Sequence, residues 1–398
     1  MPARELHSPL LDASREVVIV DTVRTAIGRS HPEKGAFRDT HAADLLEACL
    51  VALVERNGLD PADVDDVIAG CTAPFGEQSR NIARNAWLQA GYPPSVPGIQ
   101  IDRRCGSAQS AVAFATAMVA SGTHELVIAS GVEHMQHVPM PSVAETEKLY
   151  GNAWTTKLTD RYDVKGQGWS AEEIALEWGI SRTDMDQLAV VSHERAIRAT
   201  EEGRFTDEIV PITTPNGVVD TDQGMRPGTS LETLGGLKTP FREGGRVTAG
   251  TSSQISDGAA AVLLASRATA ERLGLRIRAR IIDHVTVGVD PVLMLTGPIP
   301  ATRKLLARTG LSIDDIDLFE CNEAFASVVL AWAKELGPDM AKVNVNGGAM
   351  AIGHPVGTTG SRLFATILNE LERTGGELGL TTMCCGGGQG VGSIIQRL

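Results

Sequence analysis

Two periodicities alternate along the chain. The short apolar runs Val17–Val20, Val67–Ala69, Leu126–Ala129 and Val262–Ala265 have the length and branched side chains of buried strands. Between them, Ala42–Arg56 and Ser107–Ser121 carry apolar residues at the three- and four-residue spacing of helices. Strands separated by helices predict an α/β protein. From about His137 to Ser252 the pattern changes: this stretch is rich in Pro, Gly and Thr and holds most of the tryptophans. Within it Ser170–Trp178 and Arg182–Thr200 are helical, with Ser181 as an N-cap, and Pro211–Gly250 is turn-rich. The segment reads as an insertion, and loops on a rigid scaffold are where ligand specificity usually sits.

The two flanking regions resemble each other. Leu53, Arg56, Gly58, Leu59, Asp63 and Asp65 recur as Leu305, Arg308, Gly310, Leu311, Asp315 and Asp317, a constant offset of 252. A second echo sets Phe114-Ala115-Thr116 against Phe364-Ala365-Thr366, each followed by a Glu-Leu pair, Glu125-Leu126 and Glu377-Leu378. Two matches in the same order predict a duplicated α/β half.

Composition removes several functions. The chain has 398 residues, and 36 basic against 49 acidic side chains leave a net charge of −13, no footprint for a nucleic-acid backbone. The stretch from Met1 to Glu16 lacks the apolar core of a secretory leader, and the small-apolar run Ala111–Ala120 is too short to span a bilayer. A cytoplasmic protein is expected. The cysteines Cys49, Cys71, Cys105, Cys321, Cys384 and Cys385 form no C-x-x-C pair, so free thiols are expected rather than a disulfide scaffold or zinc ribbon. His134 and His137 make an H-x-x-H with no cluster of Cys or acidic residues beside them in sequence, and no metal site is expected.

Glycine is the excess, 42 residues against an average of about 7%. It gathers in Gly347–Gly360, around His354, and in Gly386–Gly392, after Cys384. Neither run makes a dinucleotide loop, because no G-x-G-x-x-G with a following βαβ unit can be drawn. Cys105 sits where the strand-like Ile99–Ile101 turns into the helix opening at Ser107. A helix N-terminus favours thiolate, so this thiol is expected below the ordinary value of about 8.5. Cys321-Asn322-Glu323-Ala324-Phe325 ends an apolar strand in polar side chains, and the N–H groups of the Gly386 loop can serve as oxyanion donors.

Cys105, Asn322-Glu323-Ala324-Phe325, Gly353-His354-Pro355 and Cys384-x-Gly-Gly-Gly stand in the order and approximate spacing of the thiolase family, which the chain resembles over essentially its whole length. Asp21-Thr22-Val23-Arg24-Thr25 and Asp257-Gly258-Ala259-Ala260 belong to the same resemblance. It implies two βαβαβαββ halves in α-β-α-β-α layers with a loop domain inserted in the first. The expected boundaries are 1–136 plus 253–276, 137–252, and 277–398. It implies thiolytic cleavage of a 3-ketoacyl-CoA, with Cys105 as nucleophile, His354 as base and Cys384 as the acid and base at carbon. One oxyanion hole would be made by His354 with a water held by Asn322, the other by the N–H groups of Cys105 and Gly386. Coenzyme A is implied as a co-substrate with no permanently bound cofactor, contacted by Arg226, Thr233, Ser253, Ala324 and Phe325. A homodimer or homotetramer, associating with other β-oxidation enzymes, is the implied assembly.

One departure matters. Where acetoacetyl-CoA thiolases carry a His-Met pair, this chain reads Gly166-Gln167-Gly168-Trp169-Ser170-Ala171-Glu172, which favours a degradative enzyme with a different acyl group over an acetyl-CoA C-acetyltransferase. Cys384 stands where a β-ketoacyl synthase would have His. A papain-like hydrolase is disfavoured by Ala108 and the duplication, and a non-catalytic acyl-CoA-binding protein by the intact set of reactive residues.

Overall fold

In the computed structural model, which describes Ser8, Leu10, residues 16–140 and residues 142–398, the apolar runs become strands of one mixed sheet. The stretch from Met1 read as lacking a leader lies largely outside the described residues. Across the sheet the order is Leu318–Cys321, Leu378–Cys385, Gln389–Arg397, Ala279–Gly288, Val17–Thr25, Ser256–Ser266, Leu126–His134, Asp66–Gly70 and Gly98–Ile101. Pairing is parallel between Leu318–Cys321 and Leu378–Cys385 and among the last three strands, and antiparallel elsewhere on this path. The halves meet where Val18 pairs with Arg280.

Side chains alternate across a strand, so each strand feeds two cores. Val18 and Val20 pack with Leu45, Leu46, Leu50 and Leu53 of the helix Ala42–Arg56 and with Trp87 of the helix Ile82–Gln89, on one outer face. Val17 and Ile19 point the other way, against the helices Ser107–Ala120 and Thr359–Thr374, which together form the central layer. Leu305 and Trp332, from the helices Pro298–Thr309 and Ala326–Leu336, cover the outer face of the second half with Ile282, Phe319 and Leu380. The result is five layers, α-β-α-β-α.

The offset of 252 extends from sequence to hydrogen bonds. Asp65 accepts from the N–H groups of Glu125 and Leu126 at 2.6 and 3.0 Å, and Asp317 accepts from those of Glu377 and Leu378 at 2.8 and 2.9 Å. Val67 pairs with Ile128 as Phe319 pairs with Leu380. A register shift between Ile19 and Asp21 in the first strand of one half is matched, at an offset of 262 rather than 252, by one between Ile281 and Asp283 in the other. The second sequence echo is out of step by two residues. Phe114 is exposed while Phe364 is fully buried, and at an offset of 252 the partner of Phe364 is Val112, which shares its core. Burial, not residue identity, sets that equivalence.

Ser181 caps the insertion's helix Arg182–Glu201, accepting from the Asp184 N–H at 3.1 Å while Asp184 accepts from the Ser181 N–H. The insertion is tied down through Arg24. Its fully buried guanidinium donates to Glu208 at 2.6 Å and, bidentate, to Asp222 at 2.7 and 2.9 Å, so a buried charge is fully paired. No helix among the described residues is long and apolar enough to cross a membrane.

Candidate active site

The two central helices point their N-termini at each other, and glycines permit the approach. A Cβ on Gly360 would lie 2.1 Å from the Gln109 backbone nitrogen, and one on Gly70 would lie 2.4 Å from that of Ala108. Cys105 precedes one helix by two residues and His354 precedes the other by five, so this crossing joins the two halves' chemistry. Val356, two residues beyond His354, packs on the cluster of Cys105, Met383, Cys385 and Val391.

Cys105 is 4% exposed, and its Sγ accepts from its own N–H and from that of Gly386. Burial pushes its thiol up to about 11, outweighing those N–H groups and the nearby charge of Arg104. The expected thiolate is therefore not the resting state: the helix N-terminus acts in the expected direction, but removal from water is the larger effect. The backbone before it is strained. Arg104 has φ +50°, held by its N–H donating to Asp102 at 2.6 Å and by the Ser107 hydroxyl donating to its carbonyl at 2.6 Å. Such a left-handed residue costs about 1–2 kcal/mol, retained where the surroundings impose it.

His354 is 4% exposed and held at about 3 by burial and by the Arg362 charge, so it rests as neutral imidazole. The hydrogen-bond network assigns its tautomer. The Thr359 hydroxyl donates its one proton to the Pro355 carbonyl at 2.9 Å, so at 2.6 Å from His354 Nδ1 it accepts the ring N–H. Nε2 is left as a lone pair facing Asn322, whose Nδ2 is 3.5 Å away. The Asn322 Oδ1 is buried without a partner, an acceptor free for a water or a ligand.

Two buried carboxylates hold this loop: Glu133, absent from the sequence motifs, and Glu323, which stands in one without an assigned role. Glu133 accepts from the N–H groups of Thr72, Ala73 and Gly357 at 2.8, 3.2 and 2.9 Å and from the Gln78 side chain at 2.9 Å. Glu323 accepts from Ser192, Asn344 and the Met350 N–H at 2.7, 3.1 and 3.1 Å. A glutamate inside an apolar strand, as in Ser130-Gly131-Val132-Glu133, was the available signal.

Cys384 is fully buried at the end of its strand, and its thiol is raised well above the ordinary value by burial, with Cys105, Cys385 and Cys321 adding to the rise. A thiol so raised rests protonated. Gly386 follows, with the Gln167 Nε2 3.2 Å from where its Cβ would be. The expected coenzyme contacts divide into two groups. The Ser253 N–H donates to the Ala324 carbonyl at 2.9 Å beside buried Phe325, which meets Phe241 edge-on at 5.9 Å. Arg226 and Thr233 lie on the exposed face of the insertion, where Thr233 caps the short helix Leu231–Gly235 with Ser230.

The H-x-x-H pair does acquire an acidic neighbour, from far away in sequence. Glu77 is 2.9 Å from His137 Nδ1, and Glu77, His134 and His137 can bring ligand atoms within 4.8 Å of one another. Sequence distance hid this contact. The ring nitrogens are already engaged: His137 Nε2 is 2.7 Å from the Arg38 carbonyl, His134 Nε2 is 3.0 Å from the Phe37 carbonyl, and the rings stack at 3.8 Å. The cluster is a hydrogen-bonded brace for the 134–140 loop.

A neutral thiol under two N–H donors, with a second thiol coupled to it and an imidazole nitrogen free to take a proton, can carry an acyl group on sulfur and move a proton at carbon. That is the equipment of a cysteine-dependent acyl-transfer enzyme. Family models for the thiolase N-terminal and C-terminal domains match residues 17–268 and 275–397. The chain is 48% identical over 392 residues to a steroid 3-ketoacyl-CoA thiolase of Mycobacterium tuberculosis, covering 96% of this chain and 94% of that one. It is 44% identical over 393 residues to a 3-ketoacyl-CoA thiolase of Aliivibrio fischeri, and 44% over 404 residues to a beta-ketoadipyl-CoA thiolase of Pseudomonas aeruginosa. These alignments cover 96% and 97% of this chain and 100% of each relative. The chain belongs to the thiolase family and is a degradative acyltransferase.

Proposed function

We propose that the protein cleaves 3-ketoacyl-CoA thioesters with coenzyme A, releasing acetyl-CoA and a shortened acyl-CoA. As the Cys105 sulfur attacks the 3-keto carbon, its proton passes to His354 Nε2. Both groups are neutral at rest, so thiolate and imidazolium charges form together, adjacent, only when the substrate arrives. The N–H groups of Cys105 and Gly386 receive the alkoxide. Its collapse breaks the bond between C2 and C3, leaves the acyl group on Cys105, and puts the electron pair on C2 as an enolate. The enolate oxygen faces His354 and a water on Asn322, and the Cys384 thiol protonates C2 to give acetyl-CoA. Coenzyme A then gives its proton to the Cys384 thiolate, attacks the thioester, and leaves with the acyl group. Cys105 takes back the proton from His354.

The observation that carries this assignment is His354 Nε2 held as a lone pair, met by the Asn322 Nδ2 at 3.5 Å, with the unpartnered Asn322 oxygen beside it. We assign the coenzyme's pantetheine to the Ser253, Ala324 and Phe325 wall and its phosphates to the side bearing Arg226 and Thr233. A cytoplasmic location and assembly as a homodimer or homotetramer alongside other β-oxidation enzymes belong to the same proposal. The test is to incubate the protein with coenzyme A and 3-ketoacyl-CoAs of increasing size and follow acetyl-CoA. Release from at least one member is expected, and folded protein that releases none from any refutes the activity. Cys105→Ala should lower turnover by roughly 10³–10⁶-fold, and a labelled acyl group still trapped on this variant would refute the nucleophile.

A further inference from the structure

The acyl end of the site has a charge that catalysis does not use. Arg104 stands immediately before the nucleophile, with its backbone pinned in the left-handed region by Asp102 on one side and Ser107 on the other. Its Cβ and Cγ lie 3.8 and 3.5 Å from where a side chain on Gly386 would begin, so its stem runs along the loop whose N–H points at the Cys105 sulfur. The side chain is 52% exposed, and among the described residues its one charged partner is Asp102, at 3.7 Å, beyond hydrogen-bond distance and itself 40% exposed. At that same point beside Gly386 lies the Gln167 carboxamide, its Nε2 3.2 Å away, which makes no hydrogen bond to any described residue. The missing side chain of Gly386 therefore leaves a space flanked by the stem of an arginine with its donors free and by a second free polar group, beside the loop whose N–H points at the Cys105 sulfur.

We propose that Arg104, with Gln167 beside it, reads a carboxylate on the acyl chain, so that the protein's substrates are 3-ketoacyl-CoA thioesters with a carboxylated acyl group. This rests on the thiolytic activity proposed above and specifies its substrate class. An arginine fork matches a carboxylate bidentately, which a neutral group cannot do. The left-handed backbone gives the preference its geometry: consecutive Cα atoms are about 3.8 Å apart, so the guanidinium can reach only a group a few carbons beyond the one bound to Cys105. A neutral alkyl chain in the same place would leave the arginine and the carboxamide unanswered.

The test is a matched pair of substrates, 3-ketoadipyl-CoA and 3-ketohexanoyl-CoA, which share chain length and differ in the terminal carboxylate. Acetyl-CoA release should favour the acidic member by at least about tenfold in kcat/KM, the equivalent of one charge-assisted hydrogen bond. In Arg104→Gln the ratio should fall towards unity, in Arg104→Lys it should be partly kept, and in Asp102→Asn, which removes the competing carboxylate, it should rise. Equal or better cleavage of the neutral member by the natural protein would overturn the proposal and leave the thiolytic activity standing. No acetyl-CoA from either member would overturn the proposal, and the thiolytic activity would fall with it only if every member of the wider size series also released none. Inhibition of the natural protein supplies a readout independent of variant folding: adipyl-CoA should compete more tightly than hexanoyl-CoA, with the advantage shrinking as salt rises, and equal inhibition would count against Arg104.

Discussion

The same strands end in two different ways in the two halves. At one end the halves are interchangeable: Asp65 and Asp317 accept the same pair of N–H groups, 252 residues apart. At the other end, matched positions hold different chemistry. At that offset Asn322 faces Gly70, Cys384 faces Val132, His354 faces Asp102, and Cys105 faces Gly357. In the proposed mechanism one half supplies Cys105, with its sulfur and its N–H, and the other supplies His354, Asn322, Cys384 and Gly386. A duplicated scaffold keeps identical the contacts that hold each sheet together and diverges where two helix N-termini meet, because only there can both copies reach one substrate.

Asn322→Ala tests this division most sharply. It should keep the fold and lower turnover by about 10²–10³-fold, the usual cost of one oxyanion donor, and unchanged turnover would remove Asn322 from the chemistry. Gly360→Ala tests the helix crossing. The matched position in the first half is Ala108, and a second alanine would press on the Gln109 backbone at 2.1 Å. A loss of about 1–3 kcal/mol is expected in urea unfolding, and a neutral result would mean that the helices need not approach so closely. Asp65→Ala and Asp317→Ala address the interchangeable ends. Each should cost about 1–2 kcal/mol by thermal or urea unfolding, because two backbone donors lose their acceptor. A large difference between the two would break the equivalence.

The smallest effect is graded with pH. His284 is held at about 3 by burial and the Arg308 charge, hydrogen-bonded to Ser393 at 2.7 Å and Thr116 at 3.1 Å. Its folded value lies below the unfolded value of about 6.5, so between them the unfolded chain binds a proton that the folded chain refuses. Its contribution to stability is complete above pH 6.5 and is lost as pH falls. The stability difference between the natural protein and His284→Gln should therefore narrow by about 1–2 kcal/mol between pH 6.5 and pH 5. A constant difference would refute a neutral buried imidazole.

Much of this site was legible along the chain because its residues sit in glycine-rich turns between regular elements. Cys105, His354, Cys384 and Gly386 could be picked out that way, Asn322 as a polar residue ending an apolar strand, and their expected roles only from the family resemblance. Gln167 and Glu323 were named only inside motifs, and Arg104, Thr359 and Glu133 were given no role, since what each does depends on a neighbour distant in sequence or on a backbone angle. The register of the second echo failed for a related reason. Phe114 and Phe364 are the same amino acid, but one faces solvent and the other fills the central layer.

The sequence alone determined the alternation of strands and helices, the duplication and the candidate nucleophile, because periodicity, repetition and residue type are local properties. The tertiary structure decided the ionisation states. Burial raises Cys105 and Cys384 and lowers His354, overriding the helix terminus that local reasoning had weighed, because the cost of desolvating a charge depends on everything packed around it. It also decided which of His354's two nitrogens is left as a lone pair, through the hydroxyl of Thr359.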